Sequence, residues 1–104
     1  MEHIFTKTFK SELKKYTQNK QGLKTRAEEC ISDFIDHLFD SQYYGKPLKW
    51  YPKDDVHELQ VGWDARIIIQ FFRKDDMCYY LNFGTHASLN LKSDKKLRIR
   101  KIKG

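Results

Sequence analysis

Three side chains between residues 57 and 86 are of types that could do chemistry together: His57, Arg66 and His86. Histidine gives up or accepts a proton near neutral pH, because its unperturbed pKa lies there. Arginine presents a planar fork that can hold two phosphate oxygens at once. A base, an acid and a fixed cation are what cleavage of an RNA phosphodiester needs when no metal takes part. One group removes the 2′-OH proton, a second protonates the leaving 5′-oxygen, and a third stabilises the charged phosphorane. The spacing attaches them to adjacent strand-like segments. His57 opens His57-Glu58-Leu59, Arg66 precedes Ile67-Ile68-Ile69, and His86 follows Gly84-Thr85 at the end of an aromatic run. Such an arrangement can bring all three to one end of a small sheet.

Each residue also has a plainer reading. Period-two alternation puts His57 on the face of Leu59 and Val61, which should be the core face, unless the strand starts after it or a bulge intervenes. Gly84 marks a strand end and lets the backbone turn His86 outward. Arg66 alternates with Ile67 and Ile69, so it falls on the polar face, where an ordinary surface arginine would also fall. Arg73, at the far end of the same run, is a further candidate for contact with RNA. Trp50 and Trp63 read as core or edge packing rather than as base-stacking platforms. His3 and His37 receive no role, the first being terminal and the second on the polar side of a helix.

The elements that must position these residues are legible in outline. Ile4-Phe5-Thr6 reads as a first strand, and Phe9, Leu13 and Tyr16 recur at helical spacing behind it. Thr17 to Gly22 breaks that helix. A longer helix follows, with Leu23, Ala27, Cys30, Ile31, Phe34, Ile35, Leu38 and Phe39 forming one apolar stripe. Ser41 to Pro47 reads as a connection, after which Leu48-Lys49-Trp50-Tyr51 pairs or covers the core. Strands then run from Val56 to Val61, Arg66 to Arg73 and Met77 to Phe83, the last two joined by the turn Lys74-Asp75-Asp76. The order β-α-α-β-β-β predicts an α+β domain, two helices packed on one face of a small antiparallel sheet.

Composition limits the possibilities. With 104 residues, 39% of them hydrophobic and 14% aromatic, the chain can bury one modest core. No apolar run approaches the ~18 residues that span a bilayer, and Met1-Glu2-His3 does not open like a signal peptide, so a cytoplasmic location is expected. Cys30 and Cys78 lack any metal or CxxC spacing and read as reduced, buried thiols; a disulfide between them is the alternative. Net charge is +6, and residues 95–104 alone hold Lys95, Lys96, Arg98, Arg100, Lys101 and Lys103 with no acidic residue. Residues 1–94 form the expected domain, and 95–104 a basic tail or terminal strand. A concentrated basic end suits contact with a polyanion, or simply a solvated terminus.

The pattern H-x-L at His57, then Trp63, Arg66 before an aliphatic run, and G-T-H-x-x-L from Gly84 to Leu89 resembles the RelE/YafQ superfamily of bacterial type II toxins. The resemblance implies a ribosome-dependent mRNA endoribonuclease on a RelE-like fold, with no metal or organic cofactor. It also implies a cognate antitoxin, in a complex that is a higher-order oligomer, and partnership with ribosome and mRNA rather than membrane. Arg66 matches the arginine that contacts the scissile phosphate in that family. His86 matches the histidine of G-T-H and is expected to act as the acid, His57 as the base, with the roles open to exchange. The antitoxin is expected to land on the basic tail and the groove near Arg66. One departure is Asn90, where similar toxins carry an aromatic that stacks on a base. Two other activities fit the same fold: inhibition of DNA gyrase in the manner of the ParE branch, and non-catalytic binding of RNA or antitoxin through a decayed site. Both would tolerate loss of the histidines.

Overall fold

The computed structural model describes residues 1–48, 54–85 and 87–89. Its strands are β1 (Glu2–Phe5), β2 (Tyr44–Pro47), β3 (Val56–Gly62), β4 (Ala65–Phe72) and β5 (Met77–Thr85), and its helices are α1 (Lys7–Thr17) and α2 (Gln21–His37). The strands form one sheet in the order β1-β5-β4-β3-β2. β1 runs parallel to β5 and the other neighbours are antiparallel, so the sheet is mixed, not antiparallel throughout. Both expected helices pack on one face of it, as the α+β reading required.

Local chemistry explains the helix ends. Thr6 caps α1 by accepting from the Phe9 amide at 3.1 Å, while its hydroxyl donates to the Tyr80 carbonyl at 2.8 Å. One residue thus starts the helix and fastens it to β5. At the other end Asn19 takes a positive φ of 60°, a conformation asparagine tolerates, and the chain reverses into α2. α2 buries Ala27, Cys30 and Phe34 completely. The stripe is narrower than its hydrophobic spacing suggested: α2 ends at His37, and Ile35 and Phe39 remain exposed. Phe39 leaves on a 3-10 turn and meets the rings of Tyr44 and Phe71 instead.

Alternation along the strands divides the core. Leu59, Val61, Ile67, Ile69, Phe71, Tyr80 and Phe83 join the helices in one cluster. Val56, Ile68 and Leu81 point the other way and are met by Leu48 and Leu89 in a second, smaller cluster. A bulge in β5 makes this possible: Ile68 pairs with Asn82 and Ile69 with Tyr80, so Leu81 is skipped and Phe83 returns to the helix side. β1 has ended by then, and Glu12 of α1 covers the open edge. Its carboxylate accepts from the Phe83 amide at 3.1 Å and from Asn82 Nδ2 at 2.9 Å. His3, assigned no role from sequence, meets the Tyr80 hydroxyl through Nδ1 at 2.9 Å.

The connection before Leu48 contains a strand that composition hid. β2 is a four-residue edge strand holding Gly45 and Pro47, two residues that weaken strands and are tolerated at an edge. Leu48 covers the core, one of the two roles expected for its segment. Cys30 and Cys78 are buried free thiols, each pushed up to about 12 chiefly by burial. Among the described residues no helix is long and apolar enough to cross a membrane.

Candidate functional site

On the sheet face away from the helices, Arg66 and Glu58 form a pair. Both lie at even positions of β3 and β4, with Gln60 paired to Arg66 and Glu58 to Ile68. Arg66 Nε stands 3.5 Å from Glu58 Oε2, close enough for attraction, yet neither atom makes a hydrogen bond. Arg66 Nη1 donates to the carbonyl of Ala65 at 3.0 Å, which orients the guanidinium along the strand. The Glu58 side chain is 1% exposed and that of Arg66 16%. A buried carboxylate with an unmet oxygen is costly to keep, and the neighbouring guanidinium is the group placed to offset that cost. Both unmet atoms are buried, so the pair meets solvent only through the remaining, partly exposed part of the Arg66 guanidinium. Gly45 makes room for it, since a Cβ there would come within 3.0 Å of the side chains of both Glu58 and Gln60.

The helix-side face holds a second polar cluster around His57. Asp55 Oδ1 is 2.7 Å from His57 Nε2, and the Tyr44 hydroxyl is 3.0 Å from Nδ1. Asp55 also receives the Arg73 fork at 2.5 and 3.2 Å. Burial works against a charged Asp55, but hydrogen bonds from Arg73 and His57 outweigh it and hold its carboxyl below the usual range. Burial, then the Asp55 charge, pushes the Tyr44 hydroxyl up, so it stays protonated. An ionised Asp55 accepts from Nε2, and the Tyr44 hydroxyl and Nδ1 share the second hydrogen bond. The rings of Phe39 and Phe71 lie 5.4 and 5.3 Å from the imidazole and enclose it. Arg73 is engaged here as well, its guanidinium over the same two rings.

The expected triad is therefore not gathered in one place. Alternation holds through the start of β3, so His57 is buried on the helix side with both ring nitrogens engaged, while Arg66 is on the opposite face. One phosphate cannot touch both. His86 and the basic residues Lys95, Lys96, Arg98, Arg100, Lys101 and Lys103 lie outside the described residues. The chain leading to His86 does run beside Arg66: Gly84 pairs with Arg66 and Thr85 with Ala65. After it, Ser88 and Thr85 cap each other's amides at 2.9 Å, folding the turn back over Gly84. A Cβ on Gly84 would lie 2.7 Å from Ser88 Oγ, which is why glycine stands there.

Sequence reasoning passed over Glu58, Tyr44 and Asp55. Glu58 carried a signal, an acidic residue inside a strand next to one read as catalytic. Tyr44 lies in the stretch Ser41 to Pro47 that reads as a connection, and Asp55 just ahead of the strand that begins at Val56. Among the described residues no group of three His, Cys, Asp or Glu side chains is placed to hold a metal ion.

No protein-family model matches this chain, and no curated protein matches it. Solved structures do. A metal-bound toxin from Helicobacter pylori superposes with a TM-score of 0.70 at 19% identity, covering 86% of this chain and 98% of that one. A copper-bound mutant toxin from the same organism gives 0.58 at 19%, over 86% and 98%. The solution structure of a conserved hypothetical protein of Helicobacter pylori gives 0.59 at 19%, over 84% and 96%. At this identity the likeness establishes a shared fold.

Proposed function

We propose that this chain is the toxin of a type II toxin–antitoxin system, of the RelE/YafQ kind, and acts as a ribosome-dependent mRNA endoribonuclease. The fold shared with proteins described as toxins supports the first part. The observation that carries the second is the Arg66–Glu58 pair, a partly exposed guanidinium beside a buried carboxylate, each with one buried atom that makes no hydrogen bond. In this reading Arg66 binds the scissile phosphate and spreads the charge of the phosphorane. Its ion pair with Glu58 weakens as the phosphate arrives, and the released carboxylate takes the 2′-OH proton. The 2′-oxygen then bonds to phosphorus, the bond to the 5′-oxygen breaks, and His86 supplies the proton to that leaving oxygen. The products are a 2′,3′-cyclic phosphate and a free 5′-hydroxyl. Glu58 thus takes the base role first given to His57, whose place is to brace β2 against β3 through Tyr44 and Asp55. A cognate antitoxin would silence the activity by covering the Arg66 face.

The test maps RNA 5′ ends after purified protein is added to a bacterial translation reaction. The expected result is cuts confined to ribosome-bound messages. Arg66→Ala should reduce them at least about 100-fold, the usual cost of losing a donor to a developing anion. Glu58→Gln and His86→Ala should be similarly weak while remaining folded. Intact RNA with normal translation would defeat the proposal, and a supercoiling assay would then ask whether gyrase is the target.

A further inference from the structure

The base-stacking aromatic that Asn90 does not supply has a candidate elsewhere. Trp63 is 76% exposed and carries a positive φ of 51°, at the first position of the two-residue turn joining β3 to β4. Glycine, asparagine or aspartate usually occupies such a position, and a bulky residue there is strained. Strain kept at an exposed tryptophan invites a functional explanation. The turn is clamped besides. Arg26 Nε donates to the Val61 carbonyl at 2.8 Å, its guanidinium lies 5.8 Å from the Trp63 ring, and it packs so near Gly62 that a Cβ there would come within 2.8 Å.

Beside this ring is a cavity of about 360 Å³ walled by Tyr16, Leu23, Trp63 and Phe83, with Lys20 and Asp64 also lining it. Its size suits a small planar ligand, and three of its walls are aromatic. The surroundings are basic. Residues 1–26 hold seven basic side chains against two acidic ones, whereas residues 27–94 hold seven against twelve. A neutral body is thus polarised, with its positive part made of α1 and the first turns of α2, which supply Tyr16 and Leu23 to this cavity. Aromatic faces for bases and cations for phosphates are the two requirements of single-stranded nucleic-acid binding.

We propose that Trp63 and this cavity form a nucleobase subsite that seats one unstacked base of single-stranded RNA, with Lys15 and Lys20 meeting neighbouring phosphates. The choice of RNA rests on the function proposed above. Asp64 can only accept hydrogen bonds when ionised, so it favours a base with an exocyclic amino group over uracil, whose only edge donor is N3–H.

The experiment titrates the full chain with a 2′-O-methyl RNA octamer, which cannot be cut, and with the same octamer made abasic. Trp63→Gly is the informative variant, because it removes the ring and relieves the positive φ together. Its expected melting temperature is equal to or above the parent's, so weaker binding cannot be blamed on unfolding. Its affinity for the octamer should fall about tenfold, in line with one lost stacking contact. Abasic RNA should bind the parent as weakly as intact RNA binds Trp63→Gly. Quenching of tryptophan emission should vanish in Trp63→Phe, which leaves Trp50 in place. Unchanged affinity in Trp63→Gly, or equal binding of abasic RNA, overturns the proposal, including the case where the variant loses only antitoxin binding. The two readings fail separately. Base-dependent binding without any cleavage by the parent would remove the nuclease and leave the subsite, and cleavage with an inert Trp63 would do the reverse.

Discussion

The unmet atoms of Arg66 and Glu58 are buried side by side, so the cost of each depends on the presence of the other. Truncating Arg66 leaves a carboxylate that is 1% exposed with no compensating charge. Arg66→Ala should therefore destabilise the chain by about 3 kcal/mol, whereas Glu58→Gln keeps the shape and removes the charge, and should cost less. Urea unfolding of both variants checks the order; a loss in Arg66→Ala with none in Glu58→Gln would mean that the pair contributes through packing alone. Asp55 makes a pH-dependent contribution whose sign is fixed by its depressed pKa. Stability from its contacts is present above the unfolded value of about 3.9 and is lost as pH falls through the lower folded value. Asp55→Asn should flatten the acid limb of a urea-midpoint profile between about pH 2 and 5, and an unchanged limb would place the acid sensitivity elsewhere. At this scale the sequence was half legible. Period two correctly placed His57 inward and Arg66 outward, yet the chemistry of three attractive residue types suggested a single site that the same alternation forbids. Asp55 and Tyr44 were hidden because their partners are set by how β2 closes on β3.

Elements were more readable than their pairings. The spacing of Phe9, Leu13 and Tyr16, the stripe of α2 and the aliphatic runs of β3 to β5 all correspond to real elements. What local pattern cannot report is which strand lies beside which, so the parallel placement of β1 on β5 was invisible. β2 was missed for a different reason, since Gly45 and Pro47 spell a turn unless an edge is known to be near. The β5 bulge needs long-range partners too, and Glu12 is one of them. Glu12→Ala would leave the Phe83 amide and Asn82 without their acceptor, at a cost of about 1–3 kcal/mol. Amide exchange at Phe83 should quicken selectively, ahead of amides in the middle of β4. If it exchanged no faster than in the parent, the edge beyond β1 would be protected by something other than α1.

For the whole molecule, charge is the property that the sequence states most directly and the fold then redistributes. Net charge of +6 is matched by the basic residues of 95–104, while the rest is neutral in sum but divided between a basic N-terminal part and an acidic remainder. Two positive regions follow, one formed by α1 and the start of α2 and one by the C-terminal run, and the two should engage a polyanion additively if both touch it. Each phosphate neutralised on a single strand adds about 0.7 to the salt slope, so six tail charges correspond to roughly a fourth-power dependence. Deleting residues 95–104 should lower the slope of log affinity against log salt by about 4 and leave the slope due to Lys15 and Lys20. The melting temperature bears on the same question: a solvated tail can be removed without loss, whereas a terminal strand covering the Arg66 face cannot. An unchanged slope with an unchanged melting temperature would mean that the tail touches neither RNA nor the sheet. A lowered melting temperature with an unchanged slope would make it the cover of the outer cluster. A lowered slope at constant stability would identify it as the long-range grip that holds RNA while the Arg66 face and the Trp63 turn select what is bound.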